Sequence, residues 1–144
     1  MSDQNYSHHT RLFPPFHFVL LPALLAGVIG SSVNLRHSLG DSQRLYSASL
    51  LVLVTVGLLL VALFARMFAL KAQDRAIRAE ENLRHFVMTG KLLDPKLTIR
   101  QIIGLRFASD AEFVALAQKA AASGLSEKEI KKAVTKWKAD HDRV

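Results

Sequence analysis

Hydrophobic residues crowd into two uninterrupted runs near the start of the chain and are spread periodically after them. Phe16 to Val33 and Tyr46 to Ala65 contain no Asp, Glu, Lys or Arg. At about 1.5 Å of rise per residue each is long enough to cross a hydrocarbon core of ~30 Å as a helix. Pro14 and Pro15 stand where a first helical turn has no use for N–H donors, and Pro22 is expected to kink the first run. Phe13, Phe16 and Tyr46 suit a water–lipid boundary. The long segment before the first run, and the lack of an A-x-A-like site after it, argue against a cleaved signal peptide.

Between the runs, NLRHSLGDSQRL (34–45) is polar and carries a Gly40-Asp41 turn signal, so the two helices should be antiparallel neighbours. Gly27, Gly30 and Ser31 offer small surfaces for their packing. Beyond Tyr46 nothing breaks a helix until Gly90, so one helix is expected from Tyr46 to Thr89. Along it Ala62, Ala65, Ala69, Ala72, Ala76, Ala79, Leu83 and Phe86 recur at alternating spacings of three and four, the a/d pattern of left-handed helix packing. This seam is the candidate interaction surface, and its last two residues are expected to be buried. Asp74–Arg78, Glu80–Arg84 and Arg78–Glu81 have helix-pair spacings on what reads as a solvated face.

Three capping boxes follow: Thr98…Gln101, Ser109…Glu112 and Ser126…Glu129. They predict helices over about 98–107, 109–123 and 126–142. Ile99, Ile102 and Ile103 mark the apolar face of the first, and Phe113, Leu116, Ala117 and Ala120 that of the second. Ile130, Ala133, Val134 and Trp137 mark the third at i, i+3, i+4, i+7. These faces should pack on one another or on Leu83, Phe86 and Val87.

The pattern predicts an all-α membrane protein with a two-helix transmembrane hairpin. The second helix extends into the cytoplasm and three short amphipathic helices follow. In residue terms there is an N-terminal segment 1–15, a first span 16–33 and an external loop 34–45. A second span 46–70, a helical extension 71–90 and a helical tail 91–144 complete the chain.

Charge sharpens this picture. Fifteen of the 19 Lys/Arg and ten of the 12 Asp/Glu lie after Leu70, which gives the tail +5 of the net +7. Arg36 and Arg44 face one side of the hairpin; Arg11, Arg66, Lys71, Arg75, Arg78 and Arg84 face the other. Basic residues stay inside, so both termini are expected in the cytoplasm. Arg66, Lys71, Arg75 and Arg78 are the candidate basic residues of the membrane interface, and attraction to anionic lipid headgroups is expected of the tail's cluster Lys128, Lys131, Lys132, Lys136 and Lys138.

Candidate chemistry is sparse. The six histidines (His8, His9, His17, His37, His85, His141) lack ligand spacing, and with no cysteine in the chain no metal or cofactor is expected. Lys128, Lys131, Lys132, Lys136 and Lys138 are interleaved with acids, and no nucleic acid is expected. The spans carry no acids for an ion path, and nucleophile elbows and phosphate loops are missing, so no enzymatic activity is expected.

Four segments carry a resemblance: NYSHHTRLFPPFHF (5–18), Gln73 to Lys91, LRFASDAEFVAL (105–116) and LSEKEIKKAVTKWKADHDRV (125–144). Over nearly its whole length the chain resembles a family of short bacterial two-span membrane proteins of unknown function. The resemblance implies a bacterial cytoplasmic membrane and no known cofactor. Together these features point to a membrane-anchored interaction or scaffold protein, with a protein partner or a second copy on its cytoplasmic helices. The alternative is an accessory subunit of a larger membrane enzyme or transporter complex.

Overall fold

The computed structural model describes residues 13–138. His8, His9, Arg11 and His141, and the predicted helix beyond residue 138, lie outside them. The described chain is all-helical, and it divides into two compact units, Leu12–Ala69 and the part from Leu70 onward.

In the first unit a π-helical turn, Pro15–Leu20, leads into α1, Leu21–His37. Pro22 has no N–H, and its ring crowds the carbonyl one turn back; the wider π turn ahead of it is how the helix makes room. A tight turn then connects to α2, Ser42–Thr89. The connection is shorter than the expected 34–45 because α1 runs on to His37 and because α2 is capped by Asp41. Its Oδ1 accepts the N–H groups of Gln43 (3.1 Å) and Arg44 (3.2 Å), so α2 starts ahead of Tyr46.

The hairpin is pinned by a hydroxyl pair, Ser31 Oγ 2.9 Å from Thr55 Oγ1. A Cβ on Gly27, one turn before Ser31, would meet Thr55 Cγ2 at 3.8 Å. Gly30 faces open space and takes no part. The Arg66 guanidinium lies 5.9 Å from the centroid of the Phe16 ring, at the proline-bearing end of the hairpin. Most other apolar side chains of both helices face outward.

In the second unit α2 ends at Gly90, whose φ of +72° is a left-handed conformation that a side chain would resist. The chain then turns through Asp94–Leu97 into α3, Ile99–Leu105, followed by α4, Asp110–Ser123, and α5, Glu127–Ala133. All three start at the predicted boxes. Ile77 of α2 joins Leu97, Leu105, Phe113, Ala120 and Ile130 in a buried core. α3 and α5 cross closely at Gly104, where a Cβ would sit 3.1 Å from Ile130 Cγ2 and 3.2 Å from the Glu127 carbonyl.

Two expectations are corrected. α5 does not reach residue 142 and Trp137 is not on its stripe: the helix ends at Ala133 and Val134 is extended. The N–H groups of Thr135 and Lys136 go instead to the Glu112 carboxylate, both at 3.1 Å. Ser109 N–H donates to Lys136 O (3.2 Å), Lys138 N–H donates to Phe107 O (2.8 Å), and a single β-bridge joins Ala108 to Trp137. These non-local bonds replace another turn of helix. Second, Leu83, Phe86 and Val87 are not what the C-terminal helices cover; they are 63%, 50% and 77% exposed. The covered face of α2 runs through Ile77, Glu81 and Arg84.

Candidate interaction surfaces

Three faces of α2 after Leu70 have separate fates, and helical geometry explains why. At 100° per residue, Ile77, Glu81 and Arg84 form one strip, and Ala72, Ala76, Ala79, Leu83 and Phe86 lie about 150° away from it. The first strip is covered by the C-terminal helices and the second is exposed. The part of the seam that belongs to the first unit is mixed, with Ala65 exposed and Ala62 and Ala69 half-buried. Lys71, Arg75 and Arg78 occupy a third strip between the other two, and all three are exposed.

The covered strip is polar at its centre. Arg84 Nη1 donates to Glu81 Oε2 at 3.1 Å, Nη2 donates to the Ala108 carbonyl at 2.7 Å, and Nε donates to Asp110 Oδ1 at 2.9 Å. Its guanidinium lies 4.2 Å from the Phe113 ring centroid. Glu81 is 7% exposed, so Arg84 neutralises a buried charge while tying α2 to the start of α4. Sequence spacing had placed Arg84 on a solvated face with Glu80. The structure corrects this, and among the described residues no ion pair joins Asp74 to Arg78, Glu80 to Arg84 or Arg78 to Glu81. The hydrogen bond from Arg84, and then its charge, hold the Asp110 carboxyl below its ordinary range.

Glu112 is the second polar centre. Burial alone would raise its pKa. Donors from the Thr135 hydroxyl (2.7 Å), from the N–H groups of Thr135 and Lys136, and from Ser109 N–H outweigh burial and hold the carboxyl at about 2. The sequence shows only half of this role: the capping box at Ser109 was legible, the grip on residues 135–136 was not.

The remaining candidates fall into place around these centres. Lys131 leaves the predicted lysine cluster: it is buried, its Nζ is 2.6 Å from Glu127 Oε1, and it sits 5.4 Å from the centroid of the Phe107 ring. His85 Nδ1 lies 2.7 Å from the Lys91 carbonyl and helps close the end of α2, while His17 Nδ1 lies 2.9 Å from the Phe13 carbonyl. Both are engaged locally with backbone.

Gln73–Lys91, Leu105–Leu116 and the residues after Leu125 are parts of this unit, and a family model spans them all, matching residues 1–144. The chain belongs to the family of unknown function DUF6526. In this member of DUF6526 those segments supply Ile77, Glu81, Arg84, Phe107, Asp110, Glu112, Phe113 and Ile130 to the packing of the unit. Comparison with curated proteins and with solved structures gives no match.

Proposed function

We propose that this protein is a membrane-anchored interaction protein without enzymatic activity, which presents the seam of α2 to a second copy of itself. Two helices are long and apolar enough to span a bilayer, and only 6% of each apolar window is buried within the chain. A core helix of a water-soluble protein would bury most of that surface, whereas lipid solvates it without cost. The excess of Lys/Arg on the side of the chain termini supports a hairpin with both termini in the cytoplasm, and the family resemblance supports a bacterial inner membrane.

The observation that carries the interaction reading is the exposed seam itself. Packing of the C-terminal helices uses the opposite face of α2 and leaves Ala72, Ala76, Ala79, Leu83 and Phe86 uncovered at a/d spacing. Small residues allow close helix approach, and the large ones at the seam's end add apolar area. The Ala72→Glu/Ala76→Glu double variant tests this, because both positions are exposed and neither touches the core. Chemical crosslinking and light scattering in mild detergent should show a dimer or higher oligomer for the wild type and a monomer for the variant. An unchanged oligomeric state would sink the proposal. Co-migration of the wild type with a large complex on native gels would point to the accessory-subunit reading instead.

A further inference from the structure

The third face of α2 is a strip of basic side chains. Lys71, Arg75 and Arg78 are spaced i, i+4, i+7, which aligns them on one strip over about 10 Å of helix. With Asp74 and Ile99 they line a groove of about 490 Å³. Among the described residues no ion pair or hydrogen bond engages the charged heads of these three cations. By contrast Arg84 is committed to Glu81 and Asp110, and Arg100 and Lys131 are committed to Glu127. Three uncommitted cations against one carboxylate give the groove a net charge of +2, a strong local bias toward an anion.

We propose that this groove holds the phosphate headgroup of an anionic membrane lipid, an inference that rests on the membrane-anchored reading above. The three cations are the first basic residues after the apolar run of α2 apart from Arg66, so in a bilayer-anchored chain they come at headgroup depth. Ile99 and the aliphatic stems of the cations give the groove an apolar wall. A free phosphate has no use for such a wall; a glycerol-linked acyl chain does. Arginine forks suit phosphate oxygens in pairs, and the ammonium of Lys71 adds a third point of charge.

The test uses the full chain in neutral detergent, with native mass spectrometry as the readout and phosphatidylglycerol, phosphatidylcholine and inorganic phosphate as probes. The Lys71→Gln/Arg75→Gln/Arg78→Gln variant is the comparison, and unchanged Trp137 fluorescence certifies that its second unit is folded. The wild type should retain phosphatidylglycerol at least tenfold better than phosphatidylcholine, and the variant should bind it roughly 100-fold more weakly. Equal retention by wild type and variant overturns the site. Displacement of the lipid by inorganic phosphate at matching concentration overturns the lipid assignment. Carbonate extraction of cell membranes tests the anchoring reading separately: release of the wild type would overturn that reading, and the headgroup preference in micelles would still decide the groove.

Discussion

Arg84 ties together three parts of the second unit: Glu81 on its own helix, the Ala108 carbonyl, and Asp110 with Phe113 on α4. Removing it leaves Glu81 buried with no counter-charge, takes a donor from the Ala108 carbonyl and uncovers the face of Phe113. The exposed Asp110 loses little, since water replaces its partner. Arg84→Ala should therefore destabilise the unit by roughly 3–5 kcal/mol, mostly through Glu81, as read from urea unfolding followed by Trp137 fluorescence. Arg84→Lys should recover only part of the loss, because an ammonium cannot serve Glu81, Ala108 and Asp110 at once as the guanidinium fork does. A residue with this role was hidden in the sequence. Three carboxylates compete for Arg84 on spacing or proximity, and the winners were settled by where α4 lands, which local periodicity does not encode.

At the scale of elements, the starts of helices were legible and some ends were not. Thr98, Ser109 and Ser126 each satisfy, or are satisfied by, a residue three positions on, so the information is local and the boxes could be read directly. Asp41 caps α2 in the structure, while in the sequence the Gly40-Asp41 pair reads equally as a turn. The end of α5 is different: Thr135 and Lys136 donate to a carboxylate 23 and 24 residues away. An apolar stripe continued through Trp137 only in the periodicity. The crossing of α3 and α5 makes a second elemental prediction. Ala at Gly104 gains up to ~1 kcal/mol of helix propensity and meets contacts that are tight but not prohibitive, so the two effects nearly offset. Gly104→Val adds branches that the Glu127 carbonyl and Ile130 cannot clear. It should destabilise the unit by about 2 kcal/mol in the same unfolding assay.

For the molecule as a whole, the segregation of charge predicted its organisation best: an apolar first unit and a charged, capped second one. The identity of the covered face of α2 was the part the sequence misassigned, because alanine suits a helix seam and a solvated surface equally well. Acid stability belongs to this scale. Glu112 titrates at about 2 in the folded unit against an ordinary 4.5, so it favours the folded state above pH 4.5, and that contribution is lost as pH falls from 4.5 toward 2. Solvent screening around this partly exposed carboxyl keeps the loss well short of the full equivalent of that shift. Glu112→Gln should flatten the dependence: between pH 6 and pH 3 its urea midpoint should fall measurably less than that of the wild type, and parallel curves would refute the assignment.

The grip of Glu112 on Thr135 and Lys136 also imposes an order in time. Glu112 precedes Thr135 by 23 residues in the chain, so its carboxylate can cap its own helix before it finds the partners it grips. The β-bridge between Ala108 and Trp137 can close only once α4 and α5 have brought residues 108 and 137 together, a clasp fastened over helices already in place. A chain truncated before Thr135 lacks the clasp, and limited proteolysis should cut it faster than the full chain.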